Sequence, residues 1–384
     1  MTMENPDMVY LDNSATTRPC PAAVDAMVQC MNEGYYNPSS VYRPAVDAFR
    51  AVRECRDTIL KTVHGTGCEV FFTSGGTEAN NLAILGSVEK MYGRQKLAVS
   101  SVEHPSVMEA FYRLKEQGHE VIVIGTNAAG ELLWEELARA LEDGVSLVSC
   151  MQVNNETGAV LDIDRLRRVV GGKAKIHVDG VQGYLRVPFE MRGVDMYTLS
   201  AHKIHGPKGI GALVVQKGIR LQPRQIGGGQ QGGIRSGTEN TPGIAGLHAA
   251  IHELLGREAL AENLRDVKLY AVERFRESVP ELAINGPDPL KGAPHILNVS
   301  FPGVRGEVML HAMESEGIYA SAGSACSSKK TKVSGVLLAM GIPLRQAECA
   351  IRFSFSPYTT RAEIDEAAVK IERIYAQLKR FQRR

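Results

Sequence analysis

Val70-Phe71-Phe72-Thr73-Ser74-Gly75-Gly76-Thr77-Glu78-Ala79-Asn80-Asn81 sets the pattern on which the fold turns. An apolar run ends in a glycine turn, and a helical stretch over 79–90 follows. Short apolar runs recur at Leu97-Ala98-Val99, Val121-Ile122-Val123-Ile124, Ser146-Leu147-Val148-Ser149, Ile176-His177-Val178, Met196-Tyr197-Thr198-Leu199 and Gly211-Ala212-Leu213-Val214-Val215. Helical patterns at 106–117 and 135–141 lie between several of them. This alternation predicts an α/β fold, a mostly parallel sheet flanked by helices. In such a sheet ligands gather at the carboxyl ends of the strands.

Beyond residue 256 the pattern changes. A long helical stretch, 257–278, leads to strand-like segments at 296–301 and 351–355. Ile364, Ala367, Ala368, Ile371, Ile374, Tyr375 and Leu378 then recur at helical spacing, and Thr360 with Glu363 makes a capping-box start. At 384 residues the chain exceeds the usual ceiling for one hydrophobic core. The expected division is a large domain over 14–256 and a smaller α+β domain over 257–384 that takes in the N-terminal segment 1–13. Gly227-Gly228-Gly229-Gln230-Gln231-Gly232-Gly233 is too glycine-rich for an element interior, so it is a loop and a candidate for motion.

Hydrophobic residues make up 44% and charged residues 23%, with 44 Lys+Arg against 43 Asp+Glu. That balance matches an ordinary globular protein and gives no charge-driven reason to expect direct nucleic-acid contact. No apolar run reaches bilayer length, and residues 1–11 lack a basic region followed by an apolar one. The expected location is cytoplasmic, without membrane contact. The seven cysteines, Cys20, Cys30, Cys55, Cys68, Cys150, Cys326 and Cys349, are widely spaced and include no Cys-x-x-Cys pair. This argues against a disulfide framework and against a metal site.

Ser200-Ala201-His202-Lys203 follows the strand that ends at Leu199, which puts Lys203 at a carboxyl end. A lone loop lysine is ordinarily a surface residue, so its neighbours must argue otherwise. Asp179 closes the run His177-Val178-Asp179, where an acid can pair with a pyridinium nitrogen or cap the following helix. The turn Gly75-Gly76-Thr77 opens a helix whose free N–H groups favour a phosphate, although such turns also simply connect elements. Together they make a phosphate cradle, an acid at one strand end and a lysine at the next. These are the three fixed points that pyridoxal phosphate (PLP) requires.

The resemblance then becomes specific. Residues 73–80, Val102-Glu103-His104, Val153-Asn154-Asn155-Glu156-Thr157-Gly158, 177–182, 200–211, Arg235-Ser236-Gly237-Thr238 and 321–327 resemble the NifS/IscS-like cysteine desulfurases. These are class V aminotransferase-type, fold-type I PLP enzymes. The similarity runs from Tyr10-Leu11-Asp12-Asn13-Ser14-Ala15-Thr16-Thr17 to Ile351-Arg352-Phe353-Ser354. It implies conversion of L-cysteine to L-alanine, with sulfur passed to an enzyme cysteine as persulfide. Delivery would go to an acceptor protein of iron–sulfur cluster, thio-cofactor or tRNA thiolation pathways.

The same resemblance implies roles residue by residue. Lys203 holds PLP as a Schiff base, and Asp179 binds the pyridine nitrogen. Gln182 and Asn155 lie near the ring oxygen and the substrate, while His104 stacks on the ring and assists proton transfer. Gly76, Thr77, Ser200 and His202 hold the phosphate, which Thr238 reaches from a second subunit, so a homodimer is implied. Arg352 binds the substrate carboxylate through a bidentate fork, helped by Asn37. Gly76 departs from the family pattern, in which alanine is common.

Cys326 separates this reaction from others of the same fold. It sits in Ser321-Ala322-Gly323-Ser324-Ala325-Cys326-Ser327-Ser328, a run of small residues unsuited to a core, with Lys329, Lys330 and Lys332 following. An exposed, mobile, electropositive loop favours the nucleophilic thiolate. Cys349, beside Ala350-Ile351, is its nearest rival and reads as strand-edge core. A selenocysteine lyase would share the PLP residues without needing Cys326, and a non-catalytic sulfur-relay protein would use Cys326 alone.

Overall fold

A computed structural model describes residues 8–322 and 333–381. A short strand, β1 (Val9–Tyr10), is followed by helices α1 (Pro21–Asn32) and α2 (Arg43–Thr62). Strands and helices then alternate as the apolar runs predict: β2 (Cys68–Thr73), α3 (Gly76–Val88), β3 (Lys96–Ser100), α4 (Pro105–Glu116) and β4 (Glu120–Ile124). The series continues with α5 (Trp134–Glu142), β5 (Val145–Met151), α6 (Ile163–Val170), β6 (Lys175–Asp179), β7 (Met196–Ser200) and β8 (Gly211–Gln216).

Seven of these strands form one sheet in the order β2-β8-β7-β6-β5-β3-β4. All run parallel except β8, which is antiparallel to both β2 and β7. Alternate side chains serve opposite faces, as the strand period demands. Val70, Phe72, Ala98, Val148 and Val178 share one core with Ile59 of α2 and Leu166 of α6. Phe71, Leu97, Val99, Leu147 and Leu213 share another with Leu82 of α3 and Phe111 of α4. The carboxyl ends of β2, β3, β5, β6 and β7 therefore open on the same side.

The glycine-rich loop contains a single 3₁₀ turn at Gln231–Gly233. Gln231 is bound to the open edge of the sheet: its Oε1 accepts the Phe72 N–H at 2.6 Å and its Nε2 donates to the Phe72 carbonyl at 2.9 Å. A side-chain amide thus stands in for a missing neighbouring strand.

Past the loop come α7 (Thr241–Leu255), α8 (Leu260–Ser278), β9 (Ala283–Asn285), β10 (Ile296–Ser300), α9 (Gly306–Ser315) and β11 (Ile318–Tyr319). The last elements are α10 (Gly335–Ala339), α11 (Leu344–Ala347), β12 (Ala350–Ser354) and α12 (Arg361–Phe381). The expected helix over 257–278 begins three residues later, because Ala259 adopts a left-handed φ of 49° and breaks the run. Strands β12, β10 and β9 form an antiparallel sheet, and β1 pairs with β11. Val9 and Leu11 enter the same core as Phe275, Val299, Phe353 and Ile371.

The capping box of α12 is reciprocal. Thr360 Oγ1 accepts the Glu363 N–H at 3.2 Å, and Glu363 Oε2 accepts the Thr360 N–H at 2.7 Å. Thr360→Ala is expected to destabilise the fold by about 1 kcal/mol, read as a lower denaturant midpoint with an unchanged slope. Among the described residues no helix is long and apolar enough to cross a membrane.

Candidate active site

The buried carboxylate of Asp179, at the end of β6, is held from two sides. Oδ1 accepts the Val181 N–H at 2.9 Å, and Oδ2 accepts from Asn80 Nδ2 at 2.8 Å. Asn80 lies on α3, one turn in from its start, and also donates to Ser106 Oγ at 2.9 Å. Ser106 Oγ in turn meets His104 Nδ1 at 2.8 Å, and the Ser106 N–H donates to the same nitrogen at 3.1 Å. His104 is the N-cap residue of α4. Because Nδ1 accepts, a neutral His104 carries its proton on Nε2. Burial lowers the His104 pKa below its ordinary 6.5; the charge of Asp179 opposes this and that of Lys203 adds to it.

Lys203 ends a 3₁₀ turn directly after β7. Its Nζ donates to the carbonyls of Ser14 at 2.6 Å and Ala15 at 2.7 Å. Gln182 Nε2 reaches the same Ser14 carbonyl at 2.9 Å. Buried Arg186 donates to Gln182 Oε1 at 3.3 Å and to the Lys203 carbonyl. Burial lowers the pKa of Arg186 from 12.5 to about 10. His202 Nδ1 faces Thr16 Oγ1 at 3.2 Å. Burial, followed by Lys203, Lys208 and Arg186, depresses His202 to about 4.

The mouth of α3 has the features of an anion cradle. Ser200, at the end of β7, is 2% exposed, yet its Oγ has no hydrogen-bond partner among the described residues. It lies beside Gly76 at the start of α3, whose first N–H groups have no intrahelical acceptor. A Cβ on Gly76 would stand 2.7 Å from Val181 Cγ2. Val181 therefore fills the space that alanine at position 76 would need, which accounts for the glycine. An unpartnered buried hydroxyl, free N–H groups and an open backbone fit a phosphate. Thr77 and Thr238 are exposed.

Arg352 of β12 is 5% exposed. Its guanidinium donates to the Asn155 carbonyl at 2.9 Å and pairs with Asp12 at 2.7 Å, while Nε has no partner among the described residues. Asn37 is exposed, and its Oδ1 accepts the Ser39 N–H at 3.0 Å. Cys326 lies outside the described residues. The other six cysteines are free thiols, and among the described residues no group of His, Cys, Asp and Glu could hold a metal. Cys349 is buried, and burial raises its pKa.

Residues 9–367 match the family described as Aminotransferase class-V. A cysteine desulfurase of Trichormus azollae is 38% identical, over 97% of this chain and 94% of that protein. The family is thereby decided. This chain belongs to the cysteine desulfurase family. The cysteine desulfurase IscS of Dictyoglomus turgidum is 35% identical, over 97% of this chain and 95% of its own. Among solved structures, a NifS-like protein superposes with a TM-score of 0.89 at 32% identity, covering 97% of this chain and all of that one (100%). SspA in complex with cysteine superposes with a TM-score of 0.79 at 28% identity, covering 92% of this chain and 100% of its own.

In this family member several site residues escaped the sequence reading. Asn80, Ser106, Arg186 and Asp12 each hold a residue that the reading singled out. Only Asn80 leaves a sequence signal, a polar residue on the stretch of α3 that also carries Ala79, Leu82 and Ala83. Glu103, next to His104, is a further case. Its Oε1 accepts from Ser100 Oγ at 2.5 Å and from the Met151 N–H at 2.6 Å. Burial, with the charge of Asp179 adding, raises its carboxyl from 4.5 to about 8.

That shift has a sign. The folded protein keeps a proton on Glu103 that the unfolded chain releases near pH 4.5, so this contribution to stability is complete below 4.5 and is lost as pH rises through about 8. Glu156, raised to about 7 chiefly by burial, adds a parallel loss at lower pH. Glu103→Gln, which cannot ionise, should lose less stability between pH 5 and 8 than the wild type, by on the order of 3 kcal/mol. Denaturant titrations at both pH values measure it, and parallel losses would show Glu103 to be ionised in the fold.

Proposed function

We propose that this cysteine desulfurase works as a homodimer with PLP on Lys203, moving the sulfur of L-cysteine onto Cys326 and releasing L-alanine. The observation that carries the proposal is the convergence of three groups at neighbouring strand ends: the clamped carboxylate of Asp179, the Lys203 amine, and the unpartnered Ser200 hydroxyl beside the start of α3.

The residues that would hold PLP are Lys203 through its amine, Asp179 at the pyridine nitrogen, and Gly76, Thr77, Ser200 and His202 at the phosphate, with Thr238 of a second subunit. His104 would lie against the ring, and Gln182 and Asn155 near its oxygen. When bound, PLP supplies an electron sink that makes the Cα proton of an amino acid removable. Lys203, once unprotonated, takes that proton. His104, neutral with its proton on Nε2, is placed to donate or accept beside it. Arg352, its fork oriented by Asp12 and the Asn155 carbonyl, receives the substrate carboxylate, with Asn37 as a further polar contact.

The Cys326 thiolate then attacks the substrate sulfur. The new S–S bond forms as the Cβ–S bond breaks, and the electron pair stays with the carbon fragment, which takes up a proton to become alanine. One thiol and one cysteine yield one persulfide and one alanine, so no outside oxidant is required. A sulfur-acceptor protein, such as an iron–sulfur scaffold or a tRNA thiolation enzyme, would take the persulfide sulfur. The proposal includes a cytoplasmic location and the domain division at residue 256.

Incubation with PLP and L-cysteine, followed by peptide mass analysis and amino-acid chromatography, tests this reading. One added sulfur on the Cys326 peptide with matching alanine is expected. Alanine without sulfur on that peptide would remove Cys326 from the mechanism, and the absence of alanine would overturn desulfuration.

A further inference from the structure

A second cavity, of about 340 Å³, lies beyond the carboxyl ends of β3, β4 and β5. Here the strand order reverses, since β4 and β5 flank β3 on opposite sides. Crevices at such reversals are where open parallel sheets bind ligands. The volume falls in the lower range of small-molecule sites. None of the residues assigned to PLP or substrate lines it.

The lining has three parts. Val102, Leu132, Met151, Val160 and Leu161 make an apolar interior. Within it Thr126 is only 9% exposed, and its Oγ1 has no hydrogen-bond partner among the described residues. The lining also carries both charge signs, Glu131, Glu135 and Asp162 together with Arg165, all on exposed residues. Glu131 is tied to Asn127 Nδ2 at 2.8 Å, and Asp162 caps α6 by accepting the Arg165 N–H at 2.8 Å. The Arg165 guanidinium lies 4.9 Å from the centre of the Trp134 ring.

We propose that this cavity is a second ligand site that takes a small zwitterionic amino acid with an apolar side chain. The side chain enters the apolar interior, where burial supplies the main attraction. The ammonium meets the carboxylate of Glu135, and the carboxylate meets the Arg165 guanidinium. Thr126 Oγ1 gains a polar partner, directly or through one water. The floor of the cavity includes Ser100 and Met151, the two residues that bind Glu103 beside His104.

Trp134 is the only tryptophan in the chain, so intrinsic fluorescence reports on this cavity. The holoenzyme is titrated with L-leucine, isoamylamine and 4-methylpentanoate, which share an apolar body and differ in charge. L-leucine should give a saturable change, with each singly charged analogue about tenfold weaker or more for want of one ionic contact. Thr126→Phe, which fills the cavity, should abolish the leucine response while alanine release from cysteine continues. Arg165→Gln, at an exposed position, should weaken L-leucine about tenfold and leave isoamylamine unchanged. No saturable change with L-leucine would overturn the proposal, as would analogues that bind equally well or a leucine response that survives Thr126→Phe. Should Thr126→Phe fail to fold, the Arg165→Gln comparison decides.

Discussion

Lys203→Ala should lower alanine formation from L-cysteine by about 10³-fold or more and remove the visible absorbance of the enzyme-bound cofactor. The structure leaves little room for a substitute. Lys203 is set by the turn that closes β7, and its carbonyl is gripped by buried Arg186, which also reaches Gln182. Its amine hydrogen-bonds to the carbonyls of Ser14 and Ala15, on a segment itself tied to Ser354 through Asn13 at 2.9 Å. A side chain three positions away could not reach the same point without moving that frame. Lys203→Arg separates charge from chemistry, because a guanidinium keeps the positive charge but cannot condense with an aldehyde at neutral pH. Both variants should be inactive and should unfold at the wild-type denaturant midpoint within a small margin. An active Lys203→Arg enzyme would show that the position supplies charge alone.

The elements read most directly from sequence are the seven sheet strands, because each carries a short apolar run; the inner strands bury it on both faces, while Val123 of the edge strand β4 stays exposed. The direction of β8 was not legible. It follows from the link 201–210, which holds only a 3₁₀ turn where a parallel return would need a crossover helix. Helices α1, α2 and α7 also escaped notice. In α7 a stripe was present to be read, since Ile244, Leu247, Ile251 and Leu254 recur at helical spacing and are all buried. At the site, Asp179 and Lys203 were legible because strand ends are the places where such groups act. Their supports were not, because a hydrogen bond between Asn80 and Asp179 or between Asp12 and Arg352 joins residues that only the folded topology brings together. The capping box of α12, wholly local, was readable in full.

Cys326→Ala should leave cofactor binding intact, with wild-type absorbance, while sulfur transfer falls by about 10³-fold or more, the scale expected when a nucleophile is removed outright. Of the other six cysteines five are buried, and the sixth, Cys30, is partly exposed and donates to the Gly34 carbonyl at 3.8 Å. Cys55 and Cys150 are buried thiols whose pKa is raised by burial, to about 12 for Cys55, so neither offers a thiolate near neutral pH. Cys20, Cys68 and Cys349 are buried as well, each with its pKa raised by burial. Cys326 instead follows a run of small residues and precedes Lys329, Lys330 and Lys332. The described residues on either side of its segment end at the candidate site. Ser321 exchanges backbone hydrogen bonds with Arg352, at 3.1 and 2.6 Å. Ser334 donates its hydroxyl to Glu156, the neighbour of Asn155. Both flanks therefore stand against the residues assigned to the substrate carboxylate. Cys326→Ser, nearly isosteric but far less nucleophilic at neutral pH, should be as inactive as Cys326→Ala. Undiminished persulfide formation in either variant would hand the role to another thiol, and Cys349→Ala would be the next measurement.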